Sequence, residues 1–178
     1  MKFIKRFILY LIILIAVLAG ISFLLPGQAE VARSIRIDAP AEAVFPHVNS
    51  MQKTEAWSPW LSRDPETELT YSGPEEGVGN KLQWASDDPN VGAGTQEILV
   101  SEANNKVETA LDFGDMGTAM AYFELVEADG GTDVTWGFTS DLGMNPMMRW
   151  MGLMMDRWVG ADYERGLSNL KTLVENQS

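Results

Sequence analysis

From Phe7 to Leu25 the chain runs for 19 residues without a charged side chain. At about 1.5 Å per helical residue this run spans about 28 Å, close to the ~30 Å of a bilayer core. Lys2, Lys5 and Arg6 are the only charged side chains before Glu30. Such a segment is a buried core helix, a signal peptide or an uncleaved membrane anchor. A soluble core rarely holds so long an apolar run. A signal peptide's apolar region is usually about 7–15 residues, shorter than this one. Gly27 and Ala29 nevertheless fit the small-residue positions of a cut after Ala29. The anchor is therefore the leading expectation, with secretion after cleavage as the alternative. In both, the basic end stays cytoplasmic. The rest then lies outside the cytoplasm, at the periplasmic side in a Gram-negative cell. The chain divides into an anchor or signal segment, 1–29, and one domain, 30–178, long enough for a single real core.

The domain's composition excludes several function classes. With no cysteine, disulfide scaffolds, zinc–thiolate sites and thiol catalysis are ruled out. His47 is the only histidine, which argues against a histidine-built metal site or triad. All 25 acidic side chains lie from Glu30 onward, against 10 of the 13 basic ones. Such a surface repels phosphates, so nucleic acid is not an expected partner. No metal or other cofactor is expected.

Periodicity gives the element order. Ile35 and Ile37 alternate with Ser34 and Arg36, which predicts a strand over Val31–Ile37. Asp38 then stands where it could cap a helix carrying Val44, Phe45 and Val48 on one face. Pro46 keeps that helix short or kinked. A second short helix is predicted in "NSMQKTEAW". Six strands follow, at Thr67–Tyr71, Asn80–Ala85, Thr95–Glu102, Lys106–Phe113, Gly117–Glu127 and Thr132–Thr139. Turn-rich links such as "GPEEGVG" and "ADGGTD" favour an antiparallel meander. The two "GxG" stretches, Gly77–Gly79 and Gly92–Gly94, fall in such links and lack the strand–glycine–helix context of a nucleotide site. Asn145 and Pro146 make an N-cap and first-turn pair for a long helix to about Glu175. One antiparallel sheet with one long helix is an α+β layout.

Several stretches in this order carry a resemblance. They are "IRIDAPAEAVFPHVNSMQKTEAWSPW", "GVGNKLQW", "VGAGTQEILVSE", "YFELVEADGGTDVTWGF" and "VGADYERGLSNLKTLVE". From about Val31 to Glu175 the chain resembles the START-like, or SRPBCC, superfamily, and within it the polyketide cyclase/dehydrase group. The resemblance implies the helix-grip fold, a curved antiparallel sheet of about seven strands around the C-terminal helix. It also implies a cavity between sheet and helix for a lipid or other small hydrophobic molecule. No catalytic residue is shared across that superfamily, so none is carried over. The preceding membrane segment is a departure from its plain soluble members.

Six of the ten methionines and two of the six tryptophans fall within "MNPMMRWMGLMMDRWVG", Met144–Gly160. At about 100° per residue the methionines and Trp158 share an arc of about 120°. After Gly160 the apolar stripe shifts to Val159, Tyr163, Gly166, Leu170, Leu173 and Val174. This predicts a bend near Gly160, or a first half facing something other than the main core. The methionines are core packing, a deformable cavity wall or a contact with membrane or partner. Met147, Met151, Met154, Met155 and Trp158 are candidate ligand-binding residues on the cavity-wall reading. Trp57, Trp60, Trp84 and Trp136 complete the candidate set, as aromatic walls or rim. The leading function is a membrane-tethered binding module for a small hydrophobic or lipid-like ligand. The alternatives are a cyclase- or hydratase-like enzyme, with Asp162, Arg165 or His47 as its ionisable group, and an interaction domain with a filled core.

Overall fold

The computed structural model describes residues 2–177, without the side chain of Lys2. Helix α1 (Lys2–Ser22) comes first, then strand β1 (Gln28–Ile37) and helix α2 (Ala41–Val48). A 3₁₀ turn at Lys53–Ala56 leads into β2 (Glu68–Ser72), β3 (Lys81–Ala85), β4 (Ala93–Glu102) and β5 (Lys106–Asp112). Strands β6 (Thr118–Ala128) and β7 (Gly131–Asp141) lead to helix α3 (Pro146–Glu175). The seven strands form one antiparallel sheet in the order β1-β7-β6-β5-β4-β3-β2. This is the expected α+β helix-grip architecture.

The period-two pattern explains which face is buried. Val31 and Ile37 of β1, Phe123 and Leu125 of β6, and Val134 and Trp136 of β7 point to one side and are buried. A register break between Ile98 and Val100 of β4 helps the sheet bend. On the outer side, Tyr122 lies across Gly137, where a Cβ would overlap its ring. The second half of α3 covers the inner face with Tyr163, Leu167, Leu170 and Val174, all buried. Close approach there depends on glycine: a Cβ on Gly166 would stand 2.7 Å from Trp136 Cζ3 and 3.1 Å from Pro59 Cδ.

The expected cap at Asp38 is not formed. Helix α2 starts at Ala41, behind Pro40, and the Asp38 side chain does not reach its free N–H groups. Glu127 of β6 does so instead, its Oε2 accepting from Ala41 N at 3.1 Å. The Asp38 carboxylate stands 4.0 Å from Lys171 Nζ. The Asn145–Pro146 start of α3 is as expected, with Asn145 Oδ1 accepting from Met147 N at 2.9 Å. The Gly77–Gly79 stretch lies in the β2–β3 connection, whereas of Gly92–Gly94 only Gly92 does, Ala93 and Gly94 opening β4 opposite Ala85 and Trp84; Gly77, Gly79 and Gly92 have positive φ.

Helix α1 contains a span, Phe3–Ser22, long and apolar enough to cross a membrane; its apolar window is exposed, and only Ser22 at its end is buried. Its C-terminal end and the following link touch the rest of the chain. Trp150 Nε1 donates to the Leu18 carbonyl at 3.2 Å. Arg149 Nη1 donates to the carbonyls of Phe23 and Leu25 at 3.4 and 3.3 Å. Strand β1 begins at Gln28, so the expected boundary after Ala29 falls inside it, between residues paired with Ser140 and Thr139 of β7.

Candidate functional site

A cavity of about 330 Å³ lies between the inner sheet face, the 54–61 segment and α3. Ligand sites run from about 300 to 1,000 Å³, so this one suits a small molecule. Its walls include Trp57, Trp60, Trp84 and Trp136, the four tryptophans singled out in the sequence. Val159 and Tyr163 supply the α3 wall. Pro89 to Val91 and Met116 bring in the β3–β4 loop and the β5–β6 turn. A larger, shallower depression of about 530 Å³ lies on the outer sheet face, walled by charged groups such as Lys81, Glu97, Asp112 and Asp141. It lacks the apolar enclosure of the inner cavity, which is therefore the candidate site.

The aromatic walls hold one another in place. Trp136 stacks on Tyr163 with ring centres 3.9 Å apart and planes 7° apart. Phe123 stacks on the same indole at 5.1 Å, and Trp57 and Trp60 meet it edge-on at 5.2 and 5.4 Å. Such pairs add about 0.5–1.5 kcal/mol each beyond area burial, so this wall is stiff.

Two of the indole donors are spent on the fold. Trp57 Nε1 donates to the His47 carbonyl at 3.0 Å and Trp84 Nε1 to the Val91 carbonyl at 3.3 Å. The other three aromatic donors, Trp60 Nε1, Trp136 Nε1 and the Tyr163 hydroxyl, have no hydrogen-bond partner within the described chain. No fully buried side-chain polar atom among the described residues lacks a partner, so these three remain accessible. All three belong to residues that line the cavity. Burial pushes the Tyr163 phenol well above its usual pKa, with a smaller push from Tyr122, so it stays a neutral donor at physiological pH. Gln96 also faces the cavity, and its Nε2 donates to Thr109 Oγ1 at 2.9 Å, leaving its amide oxygen as an acceptor.

The five candidates on the first half of α3 are placed elsewhere. None of Met147, Met151, Met154, Met155 and Trp158 lines the cavity. Met155 is half-buried against the core, whereas the other four are exposed. The reason is helical phase. Gly152, Met155 and Val159 turn toward the domain, Gly152 lying against Leu142. At about 100° per residue, Met147, Met151, Met154 and Trp158 then centre roughly 100° away from that side. The cavity-wall reading of these methionines is corrected accordingly: the α3 wall is Val159 and Tyr163. Tyr163 was legible in the shifted stripe after Gly160, but the stripe itself marks only burial.

The ionisable candidates are also placed. Asp162 is buried, 2.5 Å from Arg63 Nη2 and 3.8 Å from Arg165 Nη1. This pairing ties α3 to the 57–67 loop. Arg165 is exposed. His47 is half-buried outside the cavity; burial and the nearby Lys53 charge lower its pKa, against a hydrogen bond with Gln177. The cavity lining includes no Asp, Glu, His, Lys or Arg among the described residues.

A family model described as "Polyketide cyclase / dehydrase and lipid transport" matches residues 28–175, and the chain belongs to that family. Solved structures share the fold at low identity. Norcoclaurine synthase from Thalictrum flavum, in complex with dopamine and hydroxybenzaldehyde, is 11% identical with a TM-score of 0.66, over 85% of this chain and 88% of that one. Protein Ms6760 from Mycobacterium smegmatis is 14% identical with a TM-score of 0.57, over 84% and 93%. A protein from Arthrobacter aurescens is 16% identical with a TM-score of 0.59, over 83% and 87%. No curated protein matches the chain.

Proposed function

We propose that this protein is a membrane-tethered binding module for a small apolar molecule carrying an oxygen acceptor. The observation that carries this reading is the inner cavity itself. It is lined by stacked aromatic rings, and three of its lining residues, Trp60, Trp136 and Tyr163, carry donors that no group of the chain uses. An apolar body fits the rings, and a carbonyl, carboxylate or hydroxyl oxygen satisfies the donors. Membership of a family that includes lipid-transport proteins supports the same class of ligand. Helix α1 serves as the anchor, with the domain on the extracytoplasmic side and the basic N-terminus inside.

The lining favours binding over catalysis. General acid–base chemistry needs an ionisable group near the reacting atoms. Tyr163 is the only titratable side chain among the described lining residues, and its raised pKa keeps it protonated at neutral pH, with no free base to take up a proton.

Titration of the full chain in detergent with an environment-sensitive apolar dye tests this reading. The dye should bind with one-to-one stoichiometry and be displaced by long-chain carboxylic acids. Ala121→Leu, which fills the cavity from the β6 wall, should abolish both effects. Tyr163→Phe keeps the ring and removes one donor, so it should weaken the carboxylic acid by the ~0.5–1.5 kcal/mol of a hydrogen bond. Equal dye binding by the wild type and Ala121→Leu would place the ligand elsewhere and defeat the proposal.

A further inference from the structure

The methionine face of α3 is exposed yet apolar. Met147 is 71% exposed, Met154 47% and Trp158 49%, with Trp150 and Met151 beside them. At about 100° per residue these five side chains fall within an arc of roughly 100°. No carboxylate interrupts the arc. The one carboxylate between Met147 and Trp158, Asp156, is turned aside to Arg33, whose Nη1 lies 2.9 Å from its Oδ1. An apolar strip of this kind on a helix otherwise bearing polar groups has the character of an interfacial helix, and tryptophan favours the membrane–water boundary.

The strip's position says what covers it. Trp150 and Arg149 hold the last turn of α1 and the link after it, so the strip begins where the apolar helix meets the domain. Strand register places more at this end. Gln28 pairs with Asp141, Thr118 with Asp112, and Ala93 with Ala85. The α1–β1 link, the β3–β4 loop, the β5–β6 turn and the start of α3 therefore share one end of the sheet. The β3–β4 loop and β5–β6 turn are the same segments that supply Pro89 to Val91 and the exposed Met116 to the cavity lining.

We propose that the Met147–Trp158 face of α3 is seated in the interfacial layer of the bilayer that α1 crosses, holding the loop end of the cavity against the lipid. The seat is apolar, not electrostatic, because the domain around it is acidic and would be repelled by anionic headgroups. A neutral phospholipid surface is the matching partner. A ligand entering by this end then comes from the bilayer and need not cross water. The proposal rests on reading α1 as a membrane-spanning anchor.

The chain has no cysteine, so single cysteines can be spin-labelled cleanly. Met147→Cys, Met151→Cys and Met154→Cys in the full chain, reconstituted in phosphatidylcholine vesicles, are compared with two references. Ile13→Cys lies in α1 and Ala103→Cys in the exposed β4–β5 turn at the opposite end of the sheet. Collision with oxygen reports lipid, and collision with a water-soluble nickel complex reports water. The three α3 labels should favour oxygen, as Ile13→Cys does, while Ala103→Cys favours nickel. Agreement of any two α3 positions decides the matter if one variant folds poorly. If the α3 labels behave like Ala103→Cys while Ile13→Cys reports lipid, the anchor stands and the seat is refuted. Shielding of the α3 labels from both reagents means that protein, such as a second copy, covers the face, and also overturns the proposal. A nickel-accessible Ile13→Cys shows that α1 does not span the bilayer, and the seat falls with it.

Discussion

The two halves of α3 are one continuous helix with opposite duties. From Gly160 onward it lies across the sheet, and Tyr163, Leu167, Leu170 and Val174 are buried. Before Gly160 it presents Met147, Met151, Met154 and Trp158 outward and meets α1 through Arg149 and Trp150. The first half is the more apolar by composition, so composition does not say which half is buried. Phase does: the stripe rotates near Gly160, and only the second stripe meets the sheet. An apolar helical face reveals that something covers it without revealing whether that is core, ligand or lipid.

Substitutions can sharpen this contrast, beginning with the largest effect. Leu170→Ala opens a hole under the sheet and should cost about 2–5 kcal/mol, read from denaturant unfolding of the detergent-solubilised chain. Gly166→Ala drives a Cβ toward the rings of Trp136 and Pro59 and should cost about 1–3 kcal/mol. Asn145→Ala removes the cap of the first half and should cost about 0.5–2 kcal/mol, with the loss confined to hydrogen-exchange protection near Met147 and Met148. Met151→Ala should stay within about 0.5 kcal/mol in detergent, since its side chain is exposed there. A Met151→Ala cost as large as that of Leu170→Ala would erase the division between the halves.

The smallest expected effect concerns pH. His47 has a lowered pKa in the fold, so the unfolded chain binds its proton more readily. Stability should therefore decline as pH falls below His47's ordinary value of 6.5, and His47→Gln should remove that part of the decline. A pH profile between 7 and 5 for the two chains checks the sign.

Much of this architecture was legible before the structure. Alternation in Ile35 and Ile37 marked β1, and the Asn145–Pro146 pair marked the start of α3. These are local signals, each written within a few residues. The misplaced features depend on distant partners. Glu127 rather than Asp38 serves the first N–H of α2, from 86 residues away. Asp162 finds Arg63 across 99 residues. Trp84 and Trp136 sat on strands and Trp57 and Trp60 around a proline, and the fold brought all four to one cavity. The methionines looked equally suited to a cavity, because an amphipathic pattern fixes their common face without naming its neighbour. Tyr163 became a site residue only when Trp136 was found stacked on it.

Native mass spectrometry of the full chain, released gently from membrane in mild detergent, tests the central claim most directly. Wild type and Ala121→Leu are compared, and any bound small molecule is extracted and identified. The account predicts a one-to-one apolar adduct carrying an oxygen acceptor on the wild type and none on Ala121→Leu. An adduct retained equally by both chains, or found on neither, contradicts it.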